Sequence, residues 1–140
     1  MVDNLAYGHR AAVAAEVPFH QTNLGDTASM ARILRDDRIE AVMHFAAYAY
    51  VGESVIHPAE YYANNVGGSL ALLNAMRREN VGRIVFSSTC AVYGAPEAMP
   101  IAEDTVPHPI NPYGASKQMV ERMLADFREA YGIRSIALRY

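Results

Sequence analysis

The sequence contains a single cysteine, Cys90, so an internal disulfide is excluded. A chain without disulfides is typical of a reducing compartment such as the cytoplasm. No apolar run approaches the roughly 18 residues that cross a bilayer, and no signal-peptide pattern opens the chain. We therefore expect a cytoplasmic protein without a membrane partner.

An excess of positive charge is also absent. Twelve Lys and Arg residues stand against 15 Asp and Glu residues, which gives a formal net charge of −3. Nucleic-acid surfaces are normally basic, so no nucleic-acid partner is expected. The five histidines are scattered, and no pair has the spacing of metal ligands, which predicts that no metal is bound. The 140 residues, 51% of them hydrophobic, suit one domain with a sizeable core.

No glycine-rich turn precedes the first candidate strand, which ends at Asp3. In dinucleotide-binding folds, an acid at the end of the second strand bonds the adenosine ribose, about 20 residues after such a turn. Taken by itself, the segment 1–3 is better explained as a frayed N-terminus than as part of a cofactor site.

Strand-like and helix-like segments alternate along the chain. Apolar runs predict strands over 17–21, 39–45, 83–89 and from 135, and helical spacing predicts helices over 27–35, 58–79 and 112–131. A weak helical stretch covers 11–16, residues 48–57 form a loop or short helix, and 93–111 is a long loop. The alternation predicts an α/β fold with a parallel sheet.

Tyr113 and Lys117 lie one turn apart on the last predicted helix. A phenol has a reference pKa of about 10. A neighbouring ammonium favours the phenolate and lowers that pKa, so Tyr113 could take a proton from a substrate hydroxyl near neutral pH. The four-residue spacing alone is a weak signal, because an ordinary helix often carries both residue types.

Hydroxyl and small side chains follow two of the predicted strands. Ser87, Ser88 and Thr89 end the strand 83–89, and ligands of open α/β sheets bind at the carboxyl ends of strands. Ala46 and Ala47 follow the strand 39–45, where small side chains allow either the approach of a cofactor or simple close packing. Cys90 is better explained as a small packing residue beside this site than as a nucleophile.

The strand, its hydroxyls, the loop and the tyrosine–lysine helix together resemble the extended short-chain dehydrogenase/reductase family. Within it, the resemblance to UDP-glucose 4-epimerases covers essentially all 140 residues, through the segments DNL, HFAAYAYVGES, YYANNVGGS, SSTCAVYG and NPYGASK. It implies a Rossmann-like doubly wound parallel sheet that is incomplete, because the first strand and the glycine-rich turn are missing. Residues 1–140 would then be a partial NAD-binding domain without the C-terminal substrate domain.

The resemblance also implies roles for individual residues. NAD would store a hydride transiently while UDP-glucose and UDP-galactose interconvert through a 4-keto sugar. Tyr113 would move the proton of the 4-hydroxyl, Thr89 would bond its oxygen, and Lys117 would assist the tyrosine and bind the nicotinamide ribose. Contacts with the cofactor are implied for Asp3, Asn4, Asn23, Phe45, Ala46, Ala47, Asn64, Ser87, Ser88, Tyr113 and Lys117.

The chain departs from the family pattern at two positions. Asn23 stands where an aspartate commonly faces the adenine, and Ala49 stands where some members have a lysine, so no contact is assigned there. No acid follows Thr89 closely, which favours epimerisation over dehydration or decarboxylation, since a dehydratase needs an acid for proton transfer at a second carbon.

The same residues are compatible with other functions. The chain could belong to another NAD-dependent nucleotide-sugar epimerase or dehydratase, or it could be a non-catalytic piece that associates through its helices. The resemblance implies a homodimer formed by the helices near 58–79 and 113–131. Without the glycine-rich turn we expect the chain alone to bind NAD weakly and to have little or no epimerase activity.

Overall fold

A computed structural model describes residues 1–96 and 99–140 of the chain; residues 97 and 98, within the predicted loop 93–111, lie outside the described residues. Strands and helices alternate through the described residues, as the sequence predicts. The strands are β1 (Val2–Asp3), β2 (His20–Gln21), β3 (Val42–His44), β4 (Arg83–Ser87) and β5 (Arg134–Leu138). The helices are α1 (Thr27–Asp36), α2 (Val51–Ile56), α3 (Pro58–Tyr61), α4 (Gly68–Arg78) and α5 (Pro112–Tyr131).

Every strand pair in the described residues is parallel, which confirms the predicted parallel sheet. The strands form two separate groups, β1–β2 and β3–β4–β5. In the larger group Met43 lies opposite Val85, and Val85 lies opposite Ile136, so these three residues form one row across the sheet.

The helices α1, α4 and α5 cover one face of the larger sheet. Its inward-pointing residues, such as Ile84 and Phe86, are buried against side chains of these helices, among them Leu72, Leu73, Met76, Val120 and Leu124. On the opposite face Met43 is 69% exposed and Ile136 is 62% exposed. One face of the sheet is therefore a core, and the other shows apolar side chains to solvent.

Helix α1 follows its sequence prediction closely. The Asp26 side chain accepts a hydrogen bond from the Ser29 N–H at 3.0 Å, which caps the first turn. Met30, Ile33 and Leu34, the residues at helical spacing, are all buried. The cap and the apolar stripe together determine where this helix starts and which side faces the core.

The predicted helix 58–79 is not regular throughout. Residues Tyr62–Gly67 form a π-helical segment between α3 and α4, so the prediction of one plain helix is wrong there. The predicted inward stripe is nevertheless buried from Tyr61 to Met76. A Cβ added at Gly68 would meet Leu24 at an ordinary 3.5 Å, so close packing does not require glycine at that position.

The first turn of helix α5 lies so close to the backbone of Ala91 that only glycine fits at position 114. The Asn111 side chain accepts from the Gly114 N–H at 2.8 Å, and Pro112 occupies the first turn. A Cβ at Gly114 would lie 2.5 Å from the Ala91 carbonyl oxygen, which no side chain tolerates. The helix start is therefore pressed against the turn that follows β4. Gly132, with φ of 72°, ends the helix as predicted.

Several predicted boundaries were too generous. The strands predicted over 17–21 and 39–45 shorten to β2 and β3, and the predicted helical stretch 11–16 holds only the end of a 3₁₀ turn at Arg10–Ala12. The loop or short helix predicted over 48–57 is confirmed, because it contains the short helix α2. Pro18 disfavours the longer β2 because it has no N–H to donate to the ladder. Met119, predicted on the apolar side of α5, is 46% exposed.

Candidate functional site

Lys117 lies at the carboxyl end of β4, where the sequence predicts the reactive groups. Its Nζ donates to the Ser87 carbonyl oxygen at 2.8 Å and lies 4.8 Å from the centre of the Phe86 ring. The Tyr113 ring centre is 5.9 Å from the same nitrogen. The structure thus brings Tyr113 and Lys117 together beside the serine that ends the strand.

The Lys117 ammonium is nearly inaccessible, with 3% of the residue exposed. Burial lowers the pKa of its amine to about 8, because an interior of low polarity disfavours the charged form. In the described part of the chain, no carboxylate lies within ion-pair distance of this nitrogen. The fold keeps a costly cation at this position.

Thr89 and Ser88 are held by different neighbours. The Thr89 Oγ1 accepts from the Ala91 N–H at 3.1 Å and caps the 3₁₀ turn Cys90–Tyr93. The Ser88 hydroxyl donates to the Glu121 carboxylate. Cys90 is exposed, so the prediction that it packs as a small residue beside the site is wrong.

Glu121 and Arg139 form a fork-to-fork ion pair behind these hydroxyls, a pair that the sequence reasoning missed. The Arg139 Nε donates to Glu121 at 3.0 Å, and Nη2 donates to the second carboxylate oxygen at 2.6 Å. Nη1 donates to the Tyr93 hydroxyl at 2.7 Å. The hydrogen bonds that Arg139 donates to Glu121 raise the pKa of Arg139 further above its usual range, so the guanidinium is permanently charged. The pair joins α5, β5 and the turn after β4.

The predicted cofactor residues near the N-terminus lie at the ends of β1 and β2. The Asp3 carboxylate accepts from the Leu5 N–H at 2.6 Å through Oδ1. The Asn4 amide donates to the Asn23 side-chain oxygen at 2.9 Å. The structure therefore places Asn4 and Asn23 against each other.

A cleft of about 740 Å³ connects this region with the end of β3. It is lined by six of the predicted cofactor residues, namely Asp3, Asn4, Phe45, Ala46, Ala47 and Asn64. The other predicted residues, Asn23, Ser87, Ser88, Tyr113 and Lys117, lie outside its lining. The sequence-predicted residues thus form two clusters, one in this cleft and one at the end of β4.

Asn65 connects the two clusters, and the sequence placed it only in an apolar stripe. Its Oδ1 accepts from the Tyr48 N–H at 2.8 Å, and its amide donates to the Tyr48 carbonyl and to Ser116 Oγ at 3.0 and 3.1 Å. Because Asn65 lies in the π-helical segment, that segment fixes the loop after β3 to the start of α5. A buried asparagine inside an apolar stripe is the signal that could have identified it.

Two tyrosine hydroxyls contact Glu53 beside the cleft, and two further tyrosines pack against their rings. The Tyr7 hydroxyl donates to the Glu53 carboxylate at 3.1 Å, and the Tyr61 hydroxyl lies 2.6 Å from it. Tyr7 packs edge-on against Tyr48 and Tyr50. Burial, with Glu53 beside it, raises the pKa of Tyr61 above its usual range, so its hydroxyl keeps its proton. The cluster holds the segment after β1 against α2.

His44 is a second buried group that the sequence reasoning did not single out. Its Nε2 lies 2.8 Å from Ser69 Oγ, and its ring is tilted against Phe86 at 5.4 Å between centres. Burial, with a contribution from the charge of Lys117, lowers the pKa of His44 to about 4. His44 is therefore neutral at pH 7.

The low pKa of His44 predicts a loss of stability in mild acid. An unfolded imidazole protonates near pH 6.5, whereas folded His44 protonates near pH 4, so the unfolded chain binds the extra proton between these values. Stability should fall by about 2 kcal/mol between pH 8 and pH 5 from this residue. Urea unfolding of the wild type and of His44→Asn at both pH values measures it. The exposed His57→Asn is the control. An unchanged pH slope in His44→Asn would contradict the assignment.

The comparison with known families gives a match over the whole chain. Residues 1–140 match the NAD dependent epimerase/dehydratase family. The chain belongs to this family. This match confirms the resemblance to the extended short-chain dehydrogenase/reductase family.

None of the helices in residues 1–96 and 99–140 has the length and hydropathy of a membrane span.

Individual relatives agree with the family match. The chain is 51% identical over 139 residues to a UDP-glucose 4-epimerase of Azospirillum brasilense, covering 99% of this chain and 40% of that protein. It is also 51% identical to a UDP-glucose 4-epimerase of Lactobacillus helveticus, covering 100% of this chain and 42% of that protein. The chain therefore spans about two fifths of the length of these relatives.

Among solved structures, the crystal structure of UDP-glucose 4-epimerase from Brucella ovis in complex with NAD matches with a TM-score of 0.97 and 48% identity. The match covers 99% of this chain and 42% of that one. The UDP-glucose 4-epimerase of Thermus thermophilus, also in complex with NAD, matches with a TM-score of 0.95 and 40% identity, over 99% and 45% of the two chains. These matches confirm the Rossmann-like fold class.

Proposed function

We propose that the chain is the NAD-side part of a UDP-glucose 4-epimerase, an isomerase that interconverts UDP-glucose and UDP-galactose. The observation that carries this proposal is the buried Lys117, bonded to Ser87 O at 2.8 Å and close to Tyr113. A buried cation without a carboxylate partner is costly, and such groups mark functional sites. The relatives named UDP-glucose 4-epimerase supply the reaction class.

The residues of the cleft fit NAD by their chemistry. Asp3 uses Oδ1 for the Leu5 N–H, which leaves its second carboxylate oxygen to accept from a ribose hydroxyl. Ala46 and Ala47 allow a close approach to the backbone, and Phe45, 54% exposed, offers a ring beside them. Residues 1–140 would thus form part of an NAD-binding domain, with sugar-nucleotide recognition by residues outside it.

The protein groups would divide the proton chemistry among them. When bound, NAD supplies the reversible two-electron oxidation of the sugar carbon. Tyr113 takes the proton of the 4-hydroxyl, and the Lys117 ammonium attracts the negative charge of the phenolate form that does so. Thr89 bonds the 4-oxygen and keeps it oriented while the 4-keto sugar turns. Tyr113 then returns the proton on the way to the other epimer.

A chimera tests this proposal. This chain replaces the matching 139 residues of the Azospirillum brasilense relative, and conversion of UDP-galactose to UDP-glucose is measured. We expect turnover in the chimera, a fall of at least about 100-fold in kcat with Tyr113→Phe, and retained NAD. The matched control is Tyr131→Phe, the same change at the exposed far end of α5. A folded, NAD-containing chimera that does not turn over would contradict the proposal.

A homodimer is part of the proposal. Leu70 on α4 and Met119 on α5 are 41% and 46% exposed, and Val55 and Ile56 on α2 are 62% and 73% exposed. The exposed Leu70 and Met119 support a partner surface on the helices near 58–79 and 113–131, and α2, which packs against α3 and α5, would extend that surface. Light scattering on the chimera samples distinguishes a dimer from a monomer.

A further inference from the structure

The segment 5–8, which follows β1 directly, is held by few backbone hydrogen bonds. The N–H groups of Leu5 and Ala6 donate to the side chains of Asp3 and Asn4, at 2.6 and 2.9 Å. In residues 1–96 and 99–140, no hydrogen bond between two backbone groups includes residues 5–8. The position of this segment therefore depends on side-chain contacts.

Tyr7 provides the one hydrogen-bonded link between the segment 5–8 and a distant part of the described structure. Its hydroxyl donates to the Glu53 carboxylate, whose two oxygens are each 3.1 Å away. Its ring packs edge-on against Tyr48 and Tyr50, with 5.2 and 5.4 Å between ring centres. Tyr7 thus connects the segment after β1 to α2 and to the loop after β3.

Glu53 is itself held in place by Tyr61. The Tyr61 hydroxyl lies 2.6 Å from the Glu53 carboxylate and accepts from the Tyr50 N–H at 3.0 Å. Tyr61 is fully buried. Because packing and a backbone hydrogen bond fix the tyrosine that contacts it, Glu53 offers Tyr7 an acceptor at a fixed position.

The segment 5–8 also borders Asp3, the residue that would bond the ribose. A Cβ added at Gly8 would lie 3.0 Å from both carboxylate oxygens of Asp3, so the segment curls back over that side chain. Asp3, Tyr7 and Tyr48 all line the cleft. A ribose bonded to Asp3 would therefore lie next to a segment whose position depends on Tyr7.

We propose that Tyr7 and Glu53 retain NAD in the cleft, with Glu53 as a positioning residue that acts through Tyr7. While the Tyr7 hydroxyl is bonded to Glu53, the segment 5–8 stays in place beside Asp3. When this bond breaks, the segment moves away and the dinucleotide leaves, since a segment with few other hydrogen bonds opens at low cost. This inference rests on the proposed function, because it takes NAD as the ligand of the cleft.

The rate at which NAD leaves the chimera tests the proposal. The chimera is loaded with radiolabelled NAD, an excess of unlabelled NAD is added, and the label still bound is measured after gel filtration at successive times. Tyr7→Phe removes the hydroxyl and keeps the ring, and should speed release at least about fivefold, because a hydrogen bond to a charged acceptor is lost. The matched control is Tyr131→Phe, since the two tyrosines are 48% and 49% exposed. It should change the rate less than twofold.

A double variant shows whether Glu53 acts through Tyr7. Adding Tyr7→Phe to Glu53→Ala should speed release less than twofold beyond Glu53→Ala alone. Hydrogen exchange in the loaded chimera should become faster at residues 5–8 with Tyr7→Phe and stay unchanged at 83–87. Where Glu53→Ala does not fold, the Tyr7→Phe measurements decide the proposal by themselves.

The outcomes separate this proposal from the proposed function. Release from Tyr7→Phe within twofold of the unchanged chimera, or fully additive effects of the two substitutions, would overturn the retention role. The proposed function would still stand in that case, provided that the chimera holds NAD and turns over. An unchanged chimera that holds no labelled NAD would overturn both.

Discussion

Replacing Lys117 by methionine should raise the free energy of unfolding by about 2 to 3 kcal/mol at pH 7. The pKa of the amine falls from 10.5 to about 8 on burial, so the folded state holds its charge at a cost. Methionine keeps much of the shape and the contact with Phe86 but carries no charge. The lost hydrogen bond to Ser87 O removes about 1 kcal/mol of the gain.

The pH dependence of this difference identifies its cause. The folded-state pKa is the lower one, so the unfolded chain binds more protons between pH 8 and 10.5, and wild-type stability rises with pH there. The advantage of Lys117→Met should therefore shrink to about 1 kcal/mol or less at pH 10. Urea unfolding at pH 7 and pH 10 measures both values. Arg128→Met, an exposed cation on the same helix, is the control and should change stability little. A destabilised Lys117→Met would show that the ammonium is compensated.

Removing the Glu121 side chain should cost about 3 kcal/mol of stability. In Glu121→Ala the Arg139 guanidinium keeps its charge but loses both carboxylate oxygens, and Ser88 loses its acceptor. The side chains of Arg139 and Glu121 are only 26% and 13% exposed, so water replaces the lost partner poorly. Thermal unfolding at pH 7 gives the change in stability.

An exposed ion pair on the same helix provides the matched comparison. Arg122 and Asp126 lie 3.0 Å apart with side chains 79% and 59% exposed. Asp126→Ala should cost at most about 0.5 kcal/mol, because solvent screens such pairs. Adding Arg139→Met to Glu121→Ala should recover part of the loss, since it removes the unpartnered charge. If Glu121→Ala costs no more than Asp126→Ala, the fork-to-fork pair does not hold α5 to β5.

Features of short sequence segments, such as helix caps and the spacing of apolar residues, were enough to predict much of the fold. The Asp26 cap and the spacing of Met30, Ile33 and Leu34 predicted α1, and the alternation of apolar runs predicted the parallel sheet. In the site, the four-residue spacing of Tyr113 and Lys117 on one helix was enough to predict their proximity. Such features depend on residues close together in the sequence, so they are visible without the structure.

Features that depend on distant residues were not predictable in the same way. The Glu121–Arg139 pair joins residues 18 positions apart, and Asn65 bonds Ser116 across 51 positions. The sequence did not predict the π-helical segment at Tyr62–Gly67, because the buried residues keep helical spacing before and after it. The length of β3 is set by its pairing with β4 at residues 42–44, which strand propensity does not describe.

Lys117 is the only lysine in the sequence, so it carries the only side-chain primary amine of these 140 residues. An acylating reagent at neutral pH therefore meets one side-chain amine, and the fold encloses it, with 3% of the residue exposed. Modification of Lys117 records each opening of the region between β4 and α5, and a short peptide with one free lysine, added to the same sample, measures the reagent. The mass spectrum of a single labelled sample therefore contains both the measurement and its standard.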